Sequence, residues 1–309
     1  MKKIGVIDIG SNSIKLDIYL VRDNGVIVKK NKHRSLMSLE DNCRNGDMSE
    51  YYIQSTLKVV QTYVDLCTLT GIDDIVVFAT ESIRRARNKR DIIRGIDDLC
   101  HININIMSGK EEAFYSYEGI KDDVDVTSGI MIDIGGGSTE VLFFDNEKVM
   151  ESISFPFGAR TISNKFQLKD CITEIVEKKI MEYLVYNFSH EISWLNGKND
   201  LVLVGSGGTM KNVAKLINSN INPCLGKNDN YYLTDEYVKI IYKVIKNKKI
   251  EDIKKLKGMS DRRVEVIKGG IEILLSFLMT TDINSIIVSK KGIREGVLKD
   301  YLEKNPYNK

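Results

Sequence analysis

A strand signal that ends in an aspartate and a glycine-containing turn occurs twice in the chain. Residues 5–13 read GVIDIGSNS and residues 129–138 read GIMIDIGGGS, and each copy is followed by two more apolar runs separated by a turn. Because the repeated unit is strand, turn, strand, turn and strand, it is a supersecondary structure and not a short motif. We therefore predict two lobes of related construction, residues 1–126 and residues 127–309, the second of which ends in helices.

The hydrophobic pattern around the repeat is that of a mixed α/β protein. Partial alternation from Ile14 to Leu20 indicates a half-buried strand, and Asp23-Asn24-Gly25 is a hairpin-turn signal. An amphipathic helix is predicted from Ser49 to about Thr70, where Gly71 would end it. Further strand signals lie at residues 3–8, 25–30, 75–79, 102–107, 201–204 and 285–289, and a short helix is predicted at 111–119.

The second copy of the repeat carries the clearer chemistry. Gly135, Gly136 and Gly137 allow the backbone to approach a ligand closely, and the N–H groups of such a turn form a concave site for anions. Asp133 ends the preceding strand, where it can hold a metal ion that bridges phosphate oxygens, and Glu140 could reach the same ion or its waters. A glycine hairpin without a ligand is the plain alternative, but two matching turns favour a phosphate site.

A third glycine turn, Gly205 to Thr209, follows the apolar run Leu201 to Val204 and precedes a helical pattern. The order strand, glycine turn, helix is a phosphate-binding arrangement, because the helix N-terminus supplies oriented N–H groups and partial positive charge. The turn lacks the Lys-Ser/Thr ending of a nucleoside triphosphatase loop, and the chain start lacks the dinucleotide glycine spacing. Three glycine turns that converge on one cleft would form a seat for a polyphosphate.

Composition excludes several classes of protein. No run of about 18 apolar residues is present, which argues against a membrane span. The net charge of +2 is nearly balanced, and a cytoplasmic location is the expected default. The five cysteines are scattered, which indicates reduced thiols and, with three isolated histidines, argues against a zinc site. These residues are Cys43, Cys67, Cys100, Cys171, Cys224, His33, His101 and His190.

Several segments, in order along the chain, resemble one family. The first two turns with their strands resemble the actin, sugar-kinase and chaperone ATPase superfamily, which is built from two ribonuclease-H-like lobes with an active-site cleft between them. The residues are more similar to the exopolyphosphatase/guanosine pentaphosphate phosphatase (Ppx/GppA) family, and the resemblance spans nearly the whole chain. The segments are residues 8–13 (DIGSNS), 79–88 (ATESIRRARN), 108–113 (SGKEEA), 133–140 (DIGGGSTE), 205–209 (GSGGT) and 292–296 (GIREG).

The resemblance implies roles for individual residues. Glu112 matches the family's proposed general base, which deprotonates the attacking water, and Arg84 matches an arginine that contacts phosphate. Acids in a first helical turn also interact favourably with the helix N-terminus, so the role of Glu111 stays open. The metal, Mg²⁺ or Mn²⁺, would be held by Asp8, Asp133 and Glu140, and the phosphates by Ser11, Asn12, Ser13, Gly135, Gly136, Gly137, Ser138, Gly207, Gly208 and Thr209.

The activity that the resemblance implies is a metal-dependent phosphohydrolase that releases terminal orthophosphate from inorganic polyphosphate by water attack. The same residues are compatible with hydrolysis of the 5′-terminal phosphate of guanosine pentaphosphate. A kinase or ATPase of the superfamily is another alternative, although no acceptor or adenosine motif is recognisable. A non-catalytic sensor of guanosine polyphosphate or polyphosphate is the last, and the set of acids argues against it. Neither a nucleic acid nor a membrane is an expected partner.

Other features depart from the family's pattern or stay open. Residues 258–263 (GMSDRR) stand where the family usually has a proline-containing turn, with Arg262 where an acid is common. The chain resembles the short two-lobed members, which often pair into homodimers. Lysines concentrate late in the sequence, either as the solvated face of a helix pair or as a track for a polyanion. They are Lys243, Lys246, Lys248, Lys249, Lys254, Lys255 and Lys257.

Overall fold

The chain forms two α/β units, each built on its own main β-sheet. The computed structural model describes residues 1–23, 25–37, 43–44, 46–198, 200–227 and 230–306. Unit 1 contains Met1–Glu112 and Val297–Lys309, and unit 2 contains Ala113–Gly296. The mixed α/β class predicted from the repeat is confirmed.

Unit 1 is built on a five-stranded sheet. The strands of unit 1 are β1 (Lys2–Gly10), β2 (Ser13–Val21), β3 (Ile27–Leu36), β4 (Cys43–Arg44), β5 (Asp47–Met48), β6 (Asp74–Ala79) and β7 (Ile104–Ile106). Strands β4 and β5 pair only with each other. Its helices are α1 (Glu50–Leu69), α2 (Glu81–Arg85), α3 (Lys89–Cys100) and the start of α4 (Gly109–Ile120). The main sheet has the order β3-β2-β1-β6-β7, with β1, β2 and β3 antiparallel and with β6 and β7 parallel to β1.

Unit 2 is built on a seven-stranded sheet. Its strands are β8 (Gly129–Ile134), β9 (Thr139–Asp145), β10 (Lys148–Phe155), β11 (Val202–Ser206), β12 (Gly226–Lys227), β13 (Asn230–Thr234) and β14 (Ser285–Val288). Its helices are the rest of α4, α5 (Ala159–Lys165), α6 (Glu174–Glu191), α7 (Gly207–Asn220), α8 (Asp235–Lys246), α9 (Ile250–Lys254), α10 (Ile267–Thr281) and the start of α11 (Ile293–Lys304). The sheet order is β10-β9-β8-β11-β14-β13-β12.

The repeat seen in the sequence is a repeat of topology. In unit 1, β1, β2 and β3 form an antiparallel meander, and β6 then pairs parallel to β1. In unit 2, β8, β9 and β10 form the same meander, and β11 pairs parallel to β8. The carboxyl end of the first strand of each copy therefore lies beside the carboxyl end of a parallel strand, an edge where α/β sheets commonly bind ligands.

Most of the sequence-based element limits are confirmed, and the exceptions have local causes. Helix α1 begins after Ser49 and ends before Gly71, which has a φ of 64°. Strand β3 extends to Leu36, beyond the predicted limit of residue 30, because it pairs with the whole of β2. Strand β7 is shorter than predicted. Gly25 N donates to the Arg22 carbonyl (2.9 Å) in the predicted hairpin, although Asn24 lies outside the described residues.

Packing places most of helix α4 with the second sheet. Tyr117 of α4 lies against Phe144 of β9, with ring centroids 4.8 Å apart, and both belong to one buried apolar cluster. The compact units consequently divide after residue 112, whereas the repeat places the limit near residue 126. Residues 297–309 group with unit 1. The limits 1–126 and 127–309 follow the repeat, and as domain limits they stay a prediction.

Glycines let α4 and the start of α11 pack closely within unit 2. A Cβ on Gly119 would lie 2.0 Å from the Gly292 carbonyl oxygen, and one on Gly296 would lie 1.9 Å from the Tyr115 carbonyl oxygen. The Glu295 carboxylate accepts a hydrogen bond from Gly292 N (3.0 Å) and so caps the helix. The family-like segment 292–296 is therefore a helix start and a packing contact.

The helical layer of unit 2 contains a buried carboxyl group. Glu272 of α10 is fully buried, and Tyr242 Oη of α8 donates to its Oε1 at 2.5 Å. Burial raises the pKa of Glu272 to about 7, and the nearby Glu177 carboxylate acts in the same direction. Lys246 forms an ion pair with Glu177 (2.9 Å), and within the described parts of the chain Glu272 has a hydroxyl partner and no salt bridge.

We expect this carboxyl group to make the stability of the protein depend on pH. Because the folded pKa of Glu272 is raised, its stabilising contribution is complete below about pH 4.5 and is lost as pH rises through about 7. The full change is at most about 3 kcal/mol. Urea unfolding between these pH values should show Glu272→Gln with a flatter pH dependence, whereas Glu182→Gln, at an exposed position, should behave as wild type. Equal pH dependence for all three would contradict the assignment.

No helix of the described residues is long and apolar enough to cross a membrane. The described thiols, those of Cys67, Cys100, Cys171 and Cys224, are free. Burial raises the pKa of the Cys67 thiol to about 11, so this thiol is a packing residue rather than a nucleophile.

Candidate active site

The first glycine turn connects β1 to β2 in unit 1. Gly10 and Ser13 face each other across the hairpin, so Ser11 and Asn12 form the turn itself. Ser11 and Ser13 are buried, and the Asn12 carbonyl accepts a hydrogen bond from Met37 N at 3.1 Å. The turn is thus held against the end of β3, and its short polar side chains are fixed by the hairpin.

Asp8 lies two residues before this turn, on β1. It is 2% exposed, and Lys15 Nζ donates to its Oδ2 at 2.8 Å. Lys15 is the residue directly opposite Asp8 on β2, so the pairing register alone brings the two charges together. The charge of the Asp8 carboxylate is balanced by an internal cation in unit 1.

The second glycine turn connects β8 to β9 in unit 2. Gly135 N donates to the Ser138 carbonyl at 2.9 Å, which closes the turn. The Gly135 and Gly136 carbonyls accept hydrogen bonds from Ala159 N and Arg160 N, both at 2.9 Å, in the first turn of α5. The carbonyl oxygens of the glycine turn therefore face α5, which keeps them from repelling an anion at the N–H side.

Gly158 is a positioning residue that the sequence analysis did not single out. A Cβ at this position would lie 2.6 Å from the Gly136 carbonyl carbon and oxygen. Any other side chain would push the second glycine turn away from α5. In the sequence, Gly158 is visible only as a glycine just before a short helix. Glycine is common at helix N-caps, so this position alone does not indicate a functional role.

Two carboxylates flank the second turn, one on each of the strands that it connects. Asp133 of β8 and Glu140 of β9 are directly opposite in the antiparallel register, so they project from the same face of the sheet. Ser206 Oγ and Ser116 Oγ donate to Asp133 Oδ2 at 2.6 and 3.3 Å, and Ser154 Oγ donates to Glu140 Oε1 at 2.9 Å. These hydroxyl donors hold both carboxylates in fixed positions.

The two copies of the repeat carry different charges at equivalent positions. In the first copy the strand-end aspartate, Asp8, faces Lys15, and in the second copy Asp133 faces Glu140. Like charges that are directly opposite on neighbouring strands are destabilising. Where unit 1 places an ammonium group, unit 2 offers two carboxylates, an arrangement that a divalent cation would stabilise.

The third glycine turn is the beginning of helix α7. Gly207 has a φ of 78°, and a Cβ on it would lie 2.0 Å from Asp133 Oδ1. Ser206, whose hydroxyl binds Asp133, is the last residue of β11 and is paired in register with Asp133. Only glycine therefore satisfies both the left-handed conformation and the close approach of the carboxylate at this position. The first N–H groups of α7 lie beside the acidic pair.

Arg263 is a further residue of this region that sequence reasoning missed. A Cβ on Gly208 would lie 1.9 Å from Arg263 Nη2, and Arg263 Nη1 donates to Thr209 Oγ1 at 3.4 Å. The guanidinium group therefore lies at the N-terminus of α7, where the helix dipole is already positive. An anion would be stabilised by both. In the sequence, residues 258–263 were noted only because they depart from the family's usual proline-containing turn, and nothing there predicted a contact between Arg263 and α7.

Arg84 and Glu112 are brought together in unit 1. Arg84 Nη1 donates to Glu112 Oε1 and, at 2.7 Å, to the Met107 carbonyl at the end of β7. Glu112 is 5% exposed, whereas the Arg84 side chain is 25% exposed. Among the described residues, every side-chain hydrogen bond of Arg84 is made through Nη1. The arginine therefore holds the buried carboxylate in a fixed position.

The role of Glu111 is decided by a local pair of hydrogen bonds. Ser108 N donates to Glu111 Oε2 at 2.7 Å, and Glu111 N donates to Ser108 Oγ at 3.2 Å. This reciprocal pair is a capping box at the start of α4. Glu111 is therefore a capping residue, and Glu112 is the acid that contacts Arg84.

The expected metal ligands do not form a dense cluster. Within the part of the chain that the structure describes, no three His, Cys, Asp or Glu side chains are grouped closely enough to hold a metal ion. Asp133 and Glu140 are brought together by their register, and Asp8 is paired with Lys15 in unit 1. Two carboxylates are enough for Mg²⁺, which usually completes its six ligands with water and phosphate oxygens.

The family to which the chain is similar can be assigned from its sequence. The model of the Ppx/GppA phosphatase family matches residues 21–305. The chain belongs to the Ppx/GppA phosphatase family. It is therefore a phosphatase, which confirms the hydrolase class that the resemblance implied. The roles of individual residues stay predictions.

Relatives of this Ppx/GppA phosphatase show how far the similarity extends. A bifunctional 3-dehydroquinate synthase/phosphatase of Fusobacterium nucleatum is 29% identical over 321 residues, which cover 96% of this chain and 46% of that protein. This chain thus spans less than half the length of that relative. An exopolyphosphatase 1 of Mycobacterium leprae is 21% identical over 303 residues, covering 96% of this chain and 88% of that protein.

The fold is also that of the family. The crystal structure of the Ppx/GppA family member from Aquifex aeolicus is 28% identical in sequence and matches this structure with a TM-score of 0.82, covering 99% of each chain. The expectation of two ribonuclease-H-like lobes of the actin-like superfamily is confirmed by this likeness.

Proposed function

We propose that this phosphatase hydrolyses the terminal phosphoanhydride bond of inorganic polyphosphate and releases orthophosphate. The observation that carries the proposal is the acidic pair Asp133 and Glu140, which lies beside Gly207 at the N-terminus of α7. Carboxylates next to N–H donors would repel phosphate unless a cation joined them, and phosphohydrolases use this combination. The name exopolyphosphatase of the Mycobacterium leprae relative supports polyphosphate as the substrate.

The residues present fit a divalent cation, Mg²⁺ or Mn²⁺. Asp133 and Glu140 would hold it, and it would neutralise charge on the phosphoryl oxygens when bound. Their direct opposition on β8 and β9 supports this role, since the equivalent pair of unit 1 contains Lys15 in place of a second acid. The earlier expectation that Asp8 is a third ligand stays a prediction, and its ion pair with Lys15 gives it a second explanation.

Phosphate binding would rely on backbone donors and one arginine of unit 2. The first N–H groups of α7, at Gly207, Gly208 and Thr209, point out of the helix and need acceptors. Arg263 adds a positive charge at the same helix end. The turns at residues 11–13 and 135–138 would contribute further short polar groups and N–H donors.

The proposed base is Glu112. Its carboxylate would take a proton from the attacking water as the water oxygen bonds to the terminal phosphorus and the bridging P–O bond breaks. The leaving oxygen remains on the shortened chain, and orthophosphate departs. Arg84 would hold Glu112 through Nη1, which leaves Nη2 and Nε to contact a phosphoryl oxygen.

The deciding experiment compares two substrates. Phosphate release is measured from long-chain polyphosphate and from guanosine pentaphosphate at equal concentration. Faster release from polyphosphate is expected, while a preference for guanosine pentaphosphate would assign the alternative substrate to the same residues. Failure on both would overturn the proposal, and nucleotide-dependent thermal stabilisation without phosphatase activity would favour a kinase or ATPase.

Metal dependence gives a second test with a readout other than turnover. Chelation should abolish phosphate release, and Mg²⁺ at a hundredfold excess over its Kd should raise the unfolding free energy by about 2.7 kcal/mol. Asp133→Asn should lose most of this stabilisation because one of the two carboxylates is gone. Asp145→Asn, on the same strand as Glu140 but at its far end, should keep it. Equal Mg²⁺ stabilisation of Asp133→Asn and wild type would contradict the metal site.

A homodimer and a cytoplasmic location stay predictions from the family resemblance and from composition. Light scattering of the purified chain tests the first, and cell fractionation tests the second.

A further inference from the structure

The irregular connection between α9 and α10 lies along helix α7. Its last part, residues 257–263, includes the segment that departs from the family's proline-containing turn, and it forms neither helix nor strand. Arg263 ends this part, and its guanidinium group lies at the N-terminus of α7. We call residues 257–263 the α7-bound loop. The position of Arg263 depends on how this loop is held.

Asn212 of α7 binds the backbone of the α7-bound loop twice. Its Nδ2 donates to the Gly258 carbonyl at 2.9 Å, and its Oδ1 accepts a hydrogen bond from Ser260 N at 3.4 Å. Asn212 is 3% exposed, so the amide is shielded from water while it uses both its donor and its acceptor. One buried side chain therefore fixes two backbone groups of the loop, one on each side of Met259.

Gly258 lets the loop approach α7 closely. Its φ is 85°, and a Cβ on it would lie 2.7 Å from the Lys215 carbonyl oxygen and 2.8 Å from Ser219 Oγ. Glycine is the residue that combines this left-handed conformation with so close a contact. At the start of the loop, Asn220 Nδ2 donates to the Lys257 carbonyl at 2.8 Å. The loop thus follows α7 from the last turn of the helix toward the first.

A short turn connects the fixed position of Ser260 to Arg263. Arg263 N donates to the Ser260 carbonyl at 2.8 Å, which closes the turn. Arg263 is half-buried, and its Nη1 donates to Thr209 Oγ1 at 3.4 Å. A Cβ on Gly208 would lie 1.9 Å from Nη2, so the guanidinium group lies against the backbone at Gly208. Asn212 therefore binds the first residue of the turn that ends at Arg263.

Stabilisation of the fold is a simpler role for an asparagine that binds a loop. Asn220 separates this role from a functional one, because it lies on the same helix and also donates to a carbonyl of the α7-bound loop. Its partner, Lys257, is at the opposite end of the loop from Arg263. Asn212 binds Ser260, within the turn that leads to Arg263. Both asparagines stabilise the loop, but only Asn212 acts on the turn that positions the arginine.

We propose that Asn212 is a positioning residue for phosphate binding, which holds the α7-bound loop so that Arg263 stays at the N-terminus of α7. The inference rests on the proposed function, in which this helix end and Arg263 bind a phosphate of the substrate. A long arginine side chain loses conformational freedom when it binds an anion, and a guanidinium group that the fold has already placed loses less. Asn212 would thus raise the affinity for phosphate without contacting it.

The test measures the Kd of orthophosphate, the expected product, by calorimetry in the presence of Mg²⁺. We expect Asn212→Ala to raise this Kd roughly two- to tenfold, the usual cost of ordering one long side chain on binding. Asn212→Ser, whose hydroxyl can bond the helix backbone, gives the same test if the alanine variant does not fold. Asn220→Ala is the matched control. It should bind orthophosphate as wild type does, even where its urea midpoint falls as far as that of Asn212→Ala.

A double-mutant cycle shows whether Asn212 acts through Arg263. Arg263→Ala should raise the Kd of orthophosphate roughly tenfold or more, because a charged hydrogen-bond donor is lost. In this background Asn212→Ala should have no further effect on the Kd, since no guanidinium group remains to be positioned. A residue that only stabilises the fold would change the Kd equally in both backgrounds or not at all.

Three results would overturn the inference: wild-type orthophosphate binding in Asn212→Ala, equal weakening in Asn220→Ala, or an undiminished effect of Asn212→Ala in the Arg263→Ala background. Failure of the proposed function gives different results. Wild-type orthophosphate binding in Arg263→Ala would remove the arginine from the phosphate site. A wild-type protein that releases no phosphate from any polyphosphate contradicts the proposed activity, while the cycle on orthophosphate binding still tests Asn212.

Discussion

Replacing Glu112 by Gln is expected to lower phosphate release by roughly 10²–10⁴-fold, the usual contribution of a positioned general base. The amide keeps the size of the side chain and removes its ability to take a proton from water. Glu112 is buried and bonded to Arg84, so its position is set by the protein and not by the substrate. Substrate binding should therefore change far less than turnover.

The neighbouring acid supplies the control. Glu111→Gln keeps a side chain that can close the capping box with Ser108, so both activity and the urea midpoint should stay close to wild type. Glu112→Gln also removes a charge beside Arg84, and the urea midpoint of each variant shows whether folding is affected. Turnover of Glu112→Gln within a few-fold of wild type would remove it as the base and favour a binding protein. Loss of turnover in Glu111→Gln would show that the capping assignment is incomplete.

Replacing Gly207 by Ala is expected to abolish most activity and to destabilise unit 2. The backbone at Gly207 has a φ of 78°, which costs a residue with a Cβ roughly 1–2 kcal/mol. The new Cβ would also lie 2.0 Å from Asp133 Oδ1, so the carboxylate or the start of α7 has to move. A displacement of about 1 Å at a catalytic site can cost on the order of 10²-fold in rate.

Gly71→Ala separates these two effects. Gly71 has a φ of 64° and no atom within 4 Å of the position of a Cβ, so the substitution adds backbone strain without a collision. Its urea midpoint should fall by a similar strain cost, while its activity stays at the wild-type level. Wild-type activity in Gly207→Ala would show that the contact between Asp133 and the start of α7 is not needed for catalysis.

The prediction of the fold succeeded where the interactions are local in sequence. The strand, turn and strand units at residues 3–21 and 129–145 are hairpins, and a hairpin follows from alternation of apolar residues and from the turn between them. Glu140 lies opposite Asp133 because a short turn forces the two strands into one register. The boundary near residue 126 was harder to predict, because it depends on which sheet a helix covers. Helix α4 packs on the second sheet through Tyr117, and the sequence of the helix alone does not predict which sheet it covers.

The arrangement of the candidate site depended on contacts between distant residues. Arg263 reaches Thr209 across 54 positions, and Ser206 reaches Asp133 across 73. Contacts between residues so far apart in the sequence leave no periodic pattern that could predict them. Glu111 and Glu112 are adjacent and chemically alike, so their different roles arise from the angle of about 100° between successive helical residues. One of them closes the cap and the other contacts Arg84.

The sequence by itself determined that two related lobes are present, that each presents a glycine turn at the end of its first strand, and that phosphate chemistry is expected there. Periodicity, turn residues and the internal repeat are properties of neighbouring residues, so the chain records them directly. Only the tertiary structure decided that Lys15 balances Asp8 while Glu140 faces Asp133, and that Arg263 lies at the start of α7. These contacts are set by strand register and by the packing of separate elements. They join residues that are far apart in the sequence, so no local pattern of residues reveals them.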